Sequence, residues 1–116
     1  MSTITLYHNP RCSKSRQALQ LLQERGQEPD IRLYLDNPPG HEELVRLLSQ
    51  LGMSPRQLLR RGEQEYKDQG LADSELSDAA LIAALVQSPR LLERPIAIRG
   101  DRAVLGRPPE NVLELL

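Results

Sequence analysis

The sequence predicts an α/β fold in which a β-α-β unit and a β-β-α unit flank a helical block. Short β-rich segments with period-two alternation lie near both ends, apolar residues at helical spacing fill the middle, and proline or glycine breaks separate them. Ile4–Tyr7 and Ile31–Leu35 read as strands, each followed by a proline-containing break. Between them Ala18, Leu19, Leu21 and Leu22 recur at helical spacing, and Gly26 stands where a left-handed cap ends such a helix. Asp36-Asn37-Pro38-Pro39-Gly40 is a loop. A helix follows on Leu44, Val45, Leu47, Leu48 and Leu51, stopping at Gly52. Ser54-Pro55-Arg56-Gln57 supplies an N-cap, a proline at the first helical position and a capping-box partner for a second, short helix. Glu63–Gln69 is polar and helix-compatible, and Ser77-Asp78 opens a helix whose Ala80, Leu81, Ala84 and Leu85 share a face until Ser88-Pro89. Pro95–Arg99 and Ala103–Leu105 alternate again around the Gly100-Asp101 turn, as in a hairpin. Arg107-Pro108-Pro109 then leads into a last helix carrying Val112, Leu113, Leu115 and Leu116. The expected organisation is one domain over residues 1–116, with a helical insert at about 40–93.

Fifteen Lys and Arg against sixteen Asp and Glu leave a formal charge of -1, so no global field favours nucleic acid or an anionic membrane, and anion binding has to be local. No apolar run is long enough to span a bilayer and no charged-then-apolar leader is visible, which predicts a cytoplasmic protein. With one cysteine and no zinc-type spacing of Cys and His, neither a disulfide nor a structural metal is expected.

That cysteine lies in Tyr7-His8-Asn9-Pro10-Arg11-Cys12-Ser13-Lys14-Ser15-Arg16, after a strand and a turn and at the first turn of a helix. A thiol of pKa ~8.5 is only ~3% thiolate at pH 7; lowering the pKa by two units requires about 2.7 kcal/mol. A helix N-terminus typically gives an anion ~0.3–1 kcal/mol, so cations are needed as well. Arg11, Lys14, Arg16 and His8 are the nearby candidates, and the Ser15 hydroxyl is placed to donate to the sulfur. Cys12-Ser13-Lys14-Ser15 is the C-x-x-C layout of thiol oxidoreductases with serine at the second position. A phosphatase-type loop is excluded, because the arginine it needs six residues after the cysteine is Ala18 here. An inert buried thiol among solvated charges is the bland alternative.

The segment Tyr7–Cys12 with Ser15 and Arg16 resembles the active-site segment of the glutaredoxin-linked arsenate reductase family, and the likeness runs over nearly the whole chain. It implies a thioredoxin-like fold around a four-stranded mixed sheet. Arg60 in "LLRRGEQEYKDQGL", Arg94 in "LLERPIAI" and Arg107 in "GRPPENVLELL" stand where that family places its oxyanion-binding arginines. Arg61 is the neighbouring alternative to Arg60. Pro95 matches the family's cis proline, and His8 is read as ordering the loop rather than as a general base.

The resemblance implies that Cys12 thiolate attacks arsenate, or a similar oxyanion, and that the adduct is held by Arg60, Arg94 and Arg107. One cysteine cannot resolve such an adduct within the chain, so the next thiol comes from outside. The family names glutathione as co-substrate, with glutaredoxin as the regenerating partner, arsenite as product and no bound cofactor. The thioredoxin-linked arsenate reductases use additional cysteines absent here. The alternative is a thioredoxin-like redox-sensing or regulatory module, as in the Spx-like relatives, or a glutathione-dependent oxidoreductase with a different substrate. Ser13 and Lys14 depart from the Gly-Thr pair of the plasmid-borne arsenate reductases.

Overall fold

The computed structural model describes residues 3–116. The chain divides into two compact units, Met1–Asn37 with Arg94–Leu116, and Pro38–Glu93.

The first unit is built on a four-stranded mixed sheet in the order β2-β1-β3-β4, with β1 at Thr5–Tyr7, β2 at Asp30–Arg32, β3 at Ile96–Arg99 and β4 at Arg102–Leu105. β1 and β2 are parallel and joined by helix α1, Ser13–Glu24, whereas β1 with β3 and β3 with β4 are antiparallel. Parallel pairing needs a crossover, and α1 supplies it. It ends where Gly26 takes a left-handed φ of 77°, a conformation that disfavours any residue with a Cβ. Strand β2 is shorter than the Ile31–Leu35 alternation predicts. After Arg32 the chain turns, with Asp36 and Asn37 donating N–H to the Leu33 carbonyl and Arg32 Nε donating to that of Asn37. Tyr34 is thereby buried and stacks on Tyr7 with ring centroids 6.4 Å apart, while Leu33 and Leu35 face solvent.

One face of the sheet carries Ile4, Leu6 and Ala97, which pack with Ala18 and Leu22 of α1 and with Val112 and Leu115. Burying a leucine such as Leu22 contributes about 1.5–3 kcal/mol, and six of these seven residues have 3% exposure or less. The chain end is a 3₁₀-helix over Pro109–Leu115 rather than an α-helix. In a 3₁₀-helix residues three apart eclipse, so Pro109, Val112 and Leu115 form the buried row, and Leu116 is exposed. Arg99 Nη1 fastens the end by donating to the Leu115 carbonyl at 2.8 Å.

The second unit holds α2 (His41–Leu51), α3 (Pro55–Leu58), α4 (Gln64–Asp68) and α5 (Asp78–Gln87), followed by a 3₁₀ turn at Pro89–Leu91. The capping box is present: Ser54 Oγ accepts from the Gln57 N–H and Gln57 Oε1 from the Ser54 N–H. In α5 the buried row is Leu81, Ile82, Ala84 and Leu85, with Ala80 outside it; in α2 Val45 is exposed, unlike Leu44, Leu47 and Leu48. Leu58, Leu59 and Arg60 run beside Leu91–Glu93 through the Leu59–Leu92 bridge, with Arg60 N–H on the Leu91 carbonyl at 2.7 Å and Glu93 N–H on that of Leu58 at 2.9 Å. No helix among the described residues is long and apolar enough to cross a membrane.

Candidate active site

The route from β1 to α1 is set by backbone hydrogen bonds. His8 N–H continues the parallel pairing onto the Arg32 carbonyl at 2.9 Å, and Cys12 N–H closes a turn onto that of Asn9 at 3.0 Å. Asn9-Pro10-Arg11-Cys12 suits such a turn, since proline fixes φ at its second position and Asn9 Oδ1 accepts from Arg11 N–H at 3.0 Å. The turn delivers Cys12 to the N-cap of α1, with φ -94° and ψ 122°. Its carbonyl starts the helix by accepting from Arg16 N–H, leaving the sulfur facing the open amides of the first turn.

Cys12 is 8% exposed, and its pKa lies below the ordinary thiol value. Burial is the largest single influence and raises it; the N–H groups of Ser15 and Lys14, with the charge and hydrogen bonding of Arg94, outweigh burial. The first-turn amides thus favour charge on the sulfur electrostatically, although the Cys12 side chain makes no capping hydrogen bond to α1.

Two sequence expectations about this environment are corrected. The Ser15 hydroxyl is engaged elsewhere: its Oγ lies 2.6 Å from His8 Nδ1 and accepts Asn9 N–H at 3.0 Å, so Ser15 acts on the sulfur through its backbone N–H. The cation on the thiol is Arg94, remote in sequence. Arg16 donates instead to the Pro10 carbonyl at 2.8 Å, and Lys14 contributes through its backbone. His8 is buried, and its pKa is lowered first by burial and then by the charge of Arg16, so the neutral imidazole is favoured.

Arg94 precedes Pro95, and the bond between them is cis, as is Arg107–Pro108. Nε and Nη1 of Arg94 are buried and have no hydrogen-bond partner among the described residues. Such donors cost roughly 1–3 kcal/mol when left unsatisfied, and they suit an incoming anion. Arg107 Nε donates to the Arg94 carbonyl at 2.9 Å. Within the first unit, Arg94 acts on Cys12, Ser15 joins His8 to the loop before it, Arg16 holds the Pro10 carbonyl, and Arg107 meets the Arg94 main chain next to Pro95. Arg60 belongs to the second unit, where Nη1 donates to Glu63 Oε1 and Nε is 3.8 Å from Glu93 Oε1; Arg61 is exposed. No cluster of three or more His, Cys, Asp and Glu among the described residues could hold a metal ion.

A family model, the ArsC family, matches residues 7–115. The chain belongs to the ArsC family. This ArsC chain is 53% identical over 114 residues to the uncharacterized protein YfgD of Escherichia coli (strain K12), covering 97% of this chain and 96% of that one. It is 45% identical over 116 residues to an arsenate reductase of Escherichia coli, covering 100% of this chain and 82% of the relative. Among solved structures, an arsenate reductase from Vibrio cholerae superposes with a TM-score of 0.96 at 48% identity, covering 99% of this chain and 98% of the other. The thioredoxin-like fold expected for the ArsC chain is the one observed.

Sequence reasoning missed Asn9 as the organiser of the ArsC loop, although Asn-Pro is a turn signal. It also missed Gly106. A Cβ there would lie 2.7 Å from Pro95 Cγ and 3.2 Å from Val112 Cγ1, a close approach with no local signature in "LGRPP".

Proposed function

We propose that this ArsC-family protein is an arsenate reductase that works through a covalent thiol-arsenate adduct on Cys12. The observation that carries the reading is the pairing of a thiol of lowered pKa at a helix N-terminus with a neighbouring guanidinium whose Nε and Nη1 are buried and unpartnered. A tetrahedral oxyanion supplies the acceptors those donors lack, and arginine meets its oxygens two at a time. Arsenate, which the named relatives' descriptions specify, is such an ion.

In this mechanism the Cys12 thiolate forms an S–As bond while an As–O bond breaks, and the departing oxygen leaves as water after protonation. Arg94 and Arg107 stabilise the oxygens of the adduct, and Arg60 is assigned the same role from the family resemblance. Reduction of As(V) to As(III) takes two electrons, which two external thiols supply as they become a disulfide. Hydrolysis of the remaining S–As bond releases arsenite and returns Cys12. The family resemblance names glutathione as co-substrate and glutaredoxin as the regenerating partner, with no bound cofactor; the chain's one cysteine supports an external donor.

The test is arsenic speciation after incubation with arsenate and glutathione, with and without glutaredoxin. The reading expects arsenite that depends on protein, glutathione and Cys12; arsenite at the protein-free background overturns it.

A further inference from the structure

The turn after β4 is fastened to the segment that carries Arg94 at three places. Arg107 Nε donates to the Arg94 carbonyl at 2.9 Å, and Gly106 N–H donates to the Pro95 carbonyl at 2.8 Å. The second bond lies next to the Ile96–Leu105 pair, the last register of the β3–β4 ladder. At the third, the Gly106 Cα sits so close to the Pro95 ring that a Cβ would approach Cγ to 2.7 Å and Cδ to 3.4 Å. A pyrrolidine ring cannot swing away as a flexible chain end does, so that contact would be relieved by moving backbone. Asn111 completes the arrangement from the 3₁₀-helix, its Nδ2 donating to the carbonyls of Arg107 at 3.1 Å and Leu105 at 3.3 Å on either side of Gly106.

We infer that Gly106 and Asn111 are positioning residues for Arg94: together they seat the 105–107 turn on Arg94-Pro95 and so aim the guanidinium at the Cys12 sulfur. Neither touches the sulfur; both act through main chain next to Arg94. A guanidinium that is displaced by a fraction of an ångström loses hydrogen-bond geometry steeply, so the position of this main chain controls how well Arg94 stabilises an anion. The inference rests on the reading of Cys12 and Arg94 as the reactive pair.

The test uses two substitutions that leave the charge unchanged, Gly106→Ala and Asn111→Leu, each alone and in an Arg94→Ala background. The readout is the Cys12 thiol pKa from pH-dependent alkylation, with thermal unfolding and far-UV circular dichroism to verify folding. Each single variant is expected to raise the thiol pKa and to slow alkylation at pH 7 by about threefold. In the Arg94→Ala background neither should raise it further, because the guanidinium they position is gone. An unchanged thiol pKa in the folded single variants, or a rise of the same size without Arg94, overturns the inference. If Gly106→Ala fails to fold, Asn111→Leu decides alone, since Asn111 is only partly buried. The titration contains no arsenate, so its outcome is separate from that of the arsenate reading. In the turnover assay the variants should also raise the arsenate KM by about three- to tenfold, a change that simple loss of stability would not produce in folded protein.

Discussion

Ser15 Oγ lies 2.6 Å from His8 Nδ1, at the position where a dithiol oxidoreductase carries its second cysteine. The hydroxyl is 0% exposed with its residue and also accepts Asn9 N–H, so it joins both ends of the loop that delivers Cys12. Ser15→Ala leaves a buried imidazole nitrogen and a backbone N–H without this partner. The expected cost is about 1–3 kcal/mol in urea-induced unfolding, with a smaller effect on the thiol pKa, since the Ser15 N–H that serves the sulfur is retained.

Arg94→Ala removes the charge and the side-chain hydrogen bond that lower the Cys12 pKa. The thiol pKa should rise, and kcat/KM for arsenate should fall by about 10²- to 10³-fold, as for loss of a donor aimed at developing charge. Arg94→Lys should restore only part of either, because an ammonium lacks the paired donors. Alkylation against pH and steady-state turnover measure the two effects.

The lowered thiol pKa also makes folding stability depend on pH. The unfolded thiol holds its proton up to about pH 8.5, whereas the folded one loses it earlier. Between those values the unfolded state binds more protons, so this contribution grows as pH rises and is complete above the unfolded pKa; it disappears as pH falls through the folded pKa. Wild type should therefore gain stability relative to Cys12→Ala as pH is raised towards about 9, and the gain should vanish in acid. Urea unfolding at a series of pH values tests this, with His8 common to both proteins.

Arg60→Ala and Arg107→Ala test the other two proposed anion ligands. Each should raise the arsenate KM by about tenfold or more without unfolding the protein, and Arg61→Ala should leave KM near wild type. Arg107→Lys is the sharper variant, because it keeps the charge but removes the Nε that donates to the Arg94 carbonyl. Its KM should resemble that of Arg107→Ala.

Local rules carried the fold where local forces decide it. Period-two alternation around Leu6, the row from Ala18 to Leu22 and the cap at Gly26 specify β-α-β, and Ser54 with Gln57 announces α3. They failed where tertiary contacts won. Tyr34 continues the β pattern of Ile31 but leaves the strand to bury its ring on Tyr7, and the last segment tightens to 3₁₀ so that Pro109, Val112 and Leu115 align. The site divides in the same way. The placement of Cys12 after a strand and turn at a helix start could be read from nearby residues. The cation that acts on it could not, because an arginine before a proline has no local mark that its guanidinium will be buried beside a sulfur. Family resemblance singled out Arg94, and it lowers the Cys12 pKa by charge and a side-chain hydrogen bond, whereas Arg16, a local choice, donates to the Pro10 carbonyl. Gly106 and Asn111 had neither signal.

In the proposed reaction Cys12 converts arsenate at the expense of external thiols. The decisive measurement is arsenate-dependent NADPH oxidation in the presence of glutathione, glutathione reductase and glutaredoxin, comparing wild type with Cys12→Ser. Wild-type turnover should saturate with arsenate, require glutathione and glutaredoxin, and be abolished in Cys12→Ser. Folded wild-type protein with no arsenate-dependent oxidation, or equal rates in the two proteins, would contradict it.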